Sequence, residues 1–597
     1  MEEAAASDGM ILQARLNMEN KVLPLGLDDT ASSKPVHGFR ILRDVKVPMR
    51  DGVRLSANIF LPDTEGRFPT IFERMPYGAS GRDPGEFYAR RGYAFVIQDC
   101  RGRHDSEGEF YPFRDDTPDG LDSLDWICAQ SWSNSRIGMF GPSYLGAVQW
   151  ALAAEHHPAL QAIVPNVIPI DFWKSGYWRQ GAFSLALNAL WTCLEITSRT
   201  SDLGLIPAYD LNRFFRHLPL STLDQYAGRP CTFWQDFLNH AAYDDYWKKM
   251  SVVKGRFDQV GVPAFIMDGW YDYYPGEAFD AFNALKTQSG GDVAARSRVI
   301  IGPWSHLISL ARQLGEVDFG EQSHLDINQL ALRWFDRLLK DQDTGILDEP
   351  PVTLFVMGRN TWRHEQEWPL ARTCYTDYYL HSSGNAGTNS DDGRLSTVPP
   401  GHERQDHFVY DPDDPVPTVG GNHSICWSDA FPVIQPGPFD QRQVQSRSDV
   451  LTYTTARLEA DTELTGPIVL HLYAATDASD TDWTAKITDV YPDGRAINIT
   501  EGNIRARFRK SIYDAPELLA SGRIYAYTIE LLPTSNVFLQ GHRIRLEISS
   551  SNFPLWDRNP NTGHAQGQDA ELRIARQTIC HSADTPSRLT LPVIPYL

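Results

Sequence analysis

Ile137-Gly138-Met139-Phe140-Gly141-Pro142-Ser143-Tyr144-Leu145-Gly146 is an apolar run that breaks into Gly-x-Ser-x-x-Gly, and the helix-like stretch Ala147 to Ala154 follows it. Strand, tight turn and helix with a serine at the apex is the layout of a nucleophile elbow. The sharp turn lifts the hydroxyl clear of the sheet and aims it at a bound carbonyl. Gly141 and Gly146 stand where the turn and the following helix need close backbone approach. The plain alternative is a serine in an ordinary loop between strand and helix, so the case for an elbow rests on what surrounds it.

Outward from the elbow the pattern repeats. Arg40 to Met49 alternates, Asp51-Gly52 is a hairpin turn, and Leu55 to Phe60 returns as a strand. Thr70 to Phe72 and Tyr93 to Ile97 read as strands, with a helix around Phe87 to Arg90, and Ala162 to Val164 is the strand after the elbow. Nearly continuous apolar strands alternating with helices predict the α/β class, with a parallel sheet covered on both faces. From residue 171 to 259 strand runs give way to aromatics at helical spacing, among them Phe172, Trp173, Trp178, Trp191, Trp234 and Trp247. That stretch predicts a helical insertion, either a packed satellite or a cap over the site. Strands resume at Pro263 to Met267 and Arg298 to Ile301, and Leu330 to Leu339 is amphipathic. Beyond Pro350-Pro351 short strands separated by Gly, Pro, Asn and Asp dominate, as in Ile468 to Tyr473, Trp483 to Val490 and Arg543 to Ile548. They predict an all-β sandwich or jelly roll of half-buried strands. The expected division is an N-terminal extension over 1–37, an α/β domain over 38–170 and 260–349, a cap over 171–259 and a β domain over 350–597. Ile11 to Leu16 could form a helix in the extension, and Ser383 to Pro400 reads as a flexible loop.

Composition narrows the function. The 597 residues are 42% hydrophobic and 22% charged, as in a folded globular protein, with a net charge of −21. No Lys/Arg block appears, which argues against nucleic acid or an anionic membrane as partner. No apolar stretch approaches the ~20 residues needed to span a bilayer. Met1-Glu2-Glu3 is acidic where a signal peptide carries basic residues. The seven cysteines (100, 128, 193, 231, 374, 426, 580) are odd in number and lack Cys-x-x-Cys spacing. They read as reduced, and the expected location is cytoplasmic. No metal-binding pattern occurs, and neither metal nor cofactor is expected.

A serine hydroxyl needs an imidazole to take its proton and a carboxylate to hold that imidazole. Behind an elbow the chain order is serine, acid, histidine, each at a strand's C-terminal end. Phe265-Ile266-Met267-Asp268-Gly269-Trp270-Tyr271-Asp272 and Ile300-Ile301-Gly302-Pro303-Trp304-Ser305-His306 supply the two later positions. His306 is the histidine that directly follows a buried-type strand. Asp268 and Asp272 compete as acid; Asp272, further into the loop, is better placed to reach across. The backbone N–H of Tyr144 is one oxyanion donor. A second should come from the loop after Thr70 to Phe72, where Tyr77 offers a phenol, although loop tyrosines commonly serve packing.

Val47 to Leu55, Asp99 to Gly108, Gly141 to Gly146, Gly269 to Asp272, Gly302 to His306, Asp411 to Thr418, Asp440 to Arg442 and Ser549 to Pro554 together resemble the CocE/NonD hydrolases, the bacterial cocaine esterase group related to X-Pro dipeptidyl-peptidases. The resemblance runs from about residue 40 to the end. It implies an α/β-hydrolase domain, a helical cap inserted between elbow and acid, and a C-terminal jelly roll. It also implies the triad Ser143, Asp272 and His306, with Tyr77 and the Tyr144 amide as oxyanion donors, and a possible homodimer. Tyr273, Tyr274, Trp178 and Trp191 are the candidate pocket residues, each of the two tryptophans being nearly as good a candidate for cap core. Relatives specific for α-amino acid esters carry carboxylates two and three positions after the acid. Tyr274 and Pro275 stand there, which argues against that specificity. The expected function is cleavage of carboxylic esters, or amides, through an acyl-enzyme on a small-molecule substrate. Acyl transfer, X-Pro dipeptidyl-peptidase activity and a non-catalytic binding role are the alternatives.

Overall fold

The structure is a computed structural model that describes residues 31–595 except 81, 388–391 and 424–433. Ile11 to Leu16, most of the 1–37 extension, Cys426 and part of the Ser383 to Pro400 loop lie outside the described residues.

Ten strands form the first sheet: β1 Phe39–Pro48, β2 Arg54–Pro62, β3 Phe68–Met75, β4 Ala94–Asp99, β5 Ser133–Pro142, β6 Leu160–Asn166, β7 Phe265–Gly269, β8 Arg298–Gly302, β9 Val352–Val356 and β10 Thr361–Glu365. Their order is β1-β2-β4-β3-β5-β6-β7-β8-β9-β10. β1 and β2 pair antiparallel across the Asp51-Gly52 turn, and β10 pairs antiparallel with β9. From β4 to β9 every neighbour is parallel. Val96, Ile97, Ile137, Met139, Ile163, Val164, Met267 and Ile301 are buried, because helices cover both faces of this region. The sheet is that of an α/β hydrolase. It runs past Pro350-Pro351, since β9 hydrogen-bonds to β8 and β10 follows it.

Between β6 and β7 the chain forms short helices, including Leu185–Leu190, Thr232–Asn239 and Asp245–Met250, and the π-helical turns Phe172–Gly176 and Trp191–Glu195. A small hairpin, Trp178–Arg179 with Ala182–Phe183, interrupts them. Its aromatics pack on one another: Trp178 on Trp173 at 5.6 Å, Tyr177 on Phe237 at 3.9 Å and Phe183 on Trp234 at 5.4 Å.

The C-terminal domain is an 11-stranded sheet closed on itself, because Thr462–Thr476 pairs with Tyr525–Phe538, with Ala575–Cys580 and with Arg588–Ile594. Thr462–Thr476 alternates as half-buried strands do, but Asp482–Val490 and Ala496–Arg505 are buried at every position. The second of these is covered by the rest of the chain. Asn503 Nδ2 donates to Arg179 O (3.0 Å), the Arg505 N–H to Gln180 O (2.9 Å) and Tyr271 Oη to Asn498 O (3.2 Å). No helix among the described residues is long and apolar enough to cross a membrane.

Candidate active site

Ser143 follows β5 and precedes the helix Tyr144–Ala153. Its backbone lies at φ 57°, ψ −124°, a conformation that side-chain-bearing residues rarely adopt. The surroundings hold it there. The Ser143 N–H donates to Asn166 O (2.9 Å), and Ser143 O accepts from Gly146 N (2.8 Å) and Ala147 N (3.2 Å). A Cβ on Gly141 would come within 2.5 Å of Leu145, and one on Gly146 within 2.7 Å of Ile168, so both close approaches need glycine. Tyr144 is the first residue of the helix, so its N–H has no intrahelical acceptor and can serve a ligand. Its phenol is occupied elsewhere. It donates to Asp116 Oδ2 (2.6 Å) and accepts from the Phe113 N–H (3.0 Å). Asp116 is in turn paired with the buried Arg74 (3.3 Å).

The other predicted groups arrive from neighbouring parallel strands. Tyr77 follows β3, Asp272 follows β7 and His306 follows β8, all at C-terminal ends, where open α/β sheets bind ligands. His306 Nδ1 lies 3.1 and 3.3 Å from the two carboxylate oxygens of the fully buried Asp272. That leaves Nε2 as the ring nitrogen available for proton transfer. Asp268 sits behind this pair. Oδ1 accepts from the Gly269 N–H (2.7 Å), and burial and the Asp272 charge push its carboxyl far above the usual range. Both causes favour its neutral form beside Asp272.

The Tyr77 phenol accepts a hydrogen bond from the Trp191 indole (3.1 Å). Indole only donates, so the phenol keeps its own proton for another acceptor. Ser143 lines the same cavity as this hydroxyl. Burial, the Glu195 charge adding to it, raises the phenol's pKa and keeps it protonated. Arg103 ties this loop to the segment between β6 and β7: Nε donates to Pro76 O (2.7 Å), Nη1 to Ile196 O (3.0 Å) and Nη2 to Glu195 O (3.0 Å).

Ser143, His306 and Tyr77 line one cavity of about 510 Å³. Tyr274 and Trp191 line it too, and the Tyr274 ring meets His306 edge-on at 6.2 Å. Tyr273 and Trp178 are placed outside it. Tyr273 packs against Arg179 (5.5 Å) and His423 (6.4 Å), and the Trp178 indole donates to Phe237 O (3.2 Å) inside the cap core. Lining residues that sequence reasoning missed include Phe113, Tyr177, Leu187, Leu307, Glu73 and Glu195. Only the glutamates carried a usable signal, each being a charge next to apolar residues, Glu73 after Ile71-Phe72 and Glu195 between Leu194 and Ile196.

Residues 51–308 match the profile of X-Pro dipeptidyl-peptidase (S15 family), and 344–590 that of the X-Pro dipeptidyl-peptidase C-terminal non-catalytic domain. The chain is 38% identical to cocaine esterase from Rhodococcus sp. (strain MB1 Bresler) over 585 residues, covering 93% of this chain and 99% of that one. A putative serine esterase of Mycobacterium bovis is 28% identical, over 92% of this chain and 94% of its own. Among solved structures, an aminopeptidase from a Thaumarchaeota archaeon superposes with TM-score 0.82 at 27% identity, covering 96% of this chain and 98% of that one. An α-amino acid ester hydrolase superposes with TM-score 0.79 at 28% identity and the same coverage. With both profiles matched and cocaine esterase alike over nearly the whole of both chains, the protein belongs to the CocE/NonD family of serine hydrolases.

Proposed function

We propose that this enzyme cleaves carboxylic esters of small molecules through an acyl-enzyme on Ser143. The observation that carries the reading is the single cavity onto which Ser143, His306 and Tyr77 open, with Asp272 bonded to the far side of the imidazole. His306 takes the Ser143 proton as Oγ attacks the ester carbonyl, and Asp272 orients the ring and stabilises the imidazolium. The Tyr77 hydroxyl and the Tyr144 N–H hold the oxyanion. His306 then protonates the leaving alkoxide, and a water deprotonated by the same histidine releases the acid. The esterase names of two relatives support esters as substrates. In this reading residues 171–259 act as the cap and the closed β domain is a jelly roll.

The test is fluorophosphonate labelling together with turnover of p-nitrophenyl esters of increasing chain length, for wild type and Ser143→Ala. Loss of both in the variant is expected. Labelling of wild type without turnover would transfer the reading to an acyltransferase that awaits an acceptor. Turnover of Gly-Pro-p-nitroanilide above that of the esters would move it to a dipeptidyl-peptidase.

A further inference from the structure

The cavity wall carries a carboxyl the mechanism does not use. Glu73 lies on β3, two residues before Met75 and on the same side of the strand, and both line the cavity. Arg74, between them, faces the opposite side, where it pairs with Asp116. Glu73 is 5% exposed. Among the described residues no hydrogen-bond donor or cation is paired with it, although a buried carboxyl without a partner is uncommon and costly. Burial alone raises its pKa to about 8. Burial therefore favours the neutral acid, and a cation entering the cavity would displace that proton to solvent.

We propose that Glu73 is a specificity-determining residue that receives a protonated amine carried on an arm of the substrate ester. The proposal rests on the esterase reading of this cavity and adds the substrate class. Phe140, Leu145 and Leu187 give the cavity that Glu73 lines apolar walls. The other titratable groups near Glu73 are phenols, a histidine and an acid: Tyr88, whose buried hydroxyl has no partner and whose ionisation Glu73 opposes, and across the cavity Tyr77, His306 and Glu195. The position also sets the length of the arm. Phe72 is level with Met139 in the β3–β5 register, so Glu73 is level with Phe140, three residues before Ser143. At ~3.3 Å per residue its Cα lies roughly 10 Å below the nucleophile along the strands. An amine on the α-carbon of the acyl group is too close to the carbonyl to reach that depth; an amine several bonds away is not.

The experiment compares matched esters: a dimethylamino-capped hexanoyl p-nitrophenyl ester against its isopropyl-capped isostere, and the same pair of caps on the alcohol side of a butyrate. Fluorophosphonate titration counts active sites in each preparation. Wild type should favour the amine in at least one pair by about tenfold or more in kcat/KM, and Glu73→Gln should bring that ratio close to one. If Glu73→Gln does not take the label, wild type alone decides: hexyldimethylammonium should inhibit hydrolysis of the neutral ester at least about tenfold more strongly than hexanol. A wild-type ratio near one in both pairs, an undiminished preference in Glu73→Gln, or equal inhibition by amine and alcohol would overturn the proposal. Turnover of the neutral esters by wild type reports on the esterase reading separately.

Discussion

Replacing Tyr77 by phenylalanine removes one oxygen and tests the oxyanion assignment directly. In the structure that oxygen accepts from the Trp191 indole and keeps its proton for the cavity. The lost interaction is made to the charge that develops on the carbonyl oxygen, not to the resting ester. It should therefore appear in kcat and in kcat/KM equally, with KM little changed. One oxyanion donor in a water-poor site is worth about 10²–10³ in turnover, or roughly 2.7–4 kcal/mol. The second donor, the Tyr144 N–H, remains, so residual catalysis should persist. Loss of the indole's acceptor destabilises the fold by only about 1 kcal/mol, which active-site titration separates from the catalytic loss. Trp191→Phe keeps the phenol but frees its orientation, and should lose less than Tyr77→Phe. The assay is saturating p-nitrophenyl butyrate with sites counted by fluorophosphonate. If Tyr77→Phe keeps kcat within about threefold of wild type, the phenol is not an oxyanion donor and the assignment is wrong.

Asp268 should tolerate asparagine, which presents a neutral donor to Asp272 as the protonated acid does. Alanine leaves Asp272 without that donor and should lower kcat by about tenfold or more, read by steady-state kinetics; equal damage from both variants would contradict a neutral Asp268. Glu73 makes stability depend on pH. Its folded pKa is raised from 4.5 to about 8, so between those values the folded state holds a proton that the unfolded chain has released. Stability therefore falls as pH rises through that window, by up to about 1.4 kcal/mol per pH unit from this group. Buried acids such as Glu277, raised to about 7, act in the same direction, so the difference between wild type and Glu73→Gln is the informative quantity. Chemical denaturation should show the variant losing less stability between pH 5 and pH 8; parallel curves would refute the assignment.

The elbow and the order of the strand ends could be read from the chain because both follow from local sterics and from the handedness of strand–helix–strand units. What could not be read depends on direction. Tyr273 and Tyr274 are adjacent, yet only Tyr274 faces the cavity. The helix Pro275–Gln288 begins immediately after them and fixes the turn of the backbone. Trp178 and Trp191 have the same spacing signal in the aromatic-rich segment between β6 and β7. One faces the cap core and the other the Tyr77 hydroxyl, because a hairpin and a π-helical turn, neither visible as periodicity, separate them. Glu73 and Arg74 are neighbouring charges on one strand, and only the sheet's two environments distinguish an ion-paired arginine from an unpartnered acid.

The loop that carries Asp272 is hydrogen-bonded by both parts of the chain. Its Trp270 and Tyr271 N–H groups donate to Gly302 O (2.8 Å) and Trp304 O (2.9 Å), which anchors it to β8. The Trp270 indole donates to Phe355 O on β9 (2.8 Å). The backbone carbonyls of Trp270 and Tyr271 are taken by Asn422 Nδ2 (2.5 Å) and the His423 N–H (3.1 Å), and the Tyr271 phenol by Asn498 O (3.2 Å). Asp272 thus follows a segment held on one side by the hydrolase sheet and on the other by residues far beyond it in sequence. The domain whose family description is non-catalytic supplies no reacting atom here. It supplies hydrogen bonds to Trp270 and Tyr271, the two residues that lead into Asp272. Residues 51–308 contain every group assigned to the chemistry, and they lack the partners that hold the acid in place.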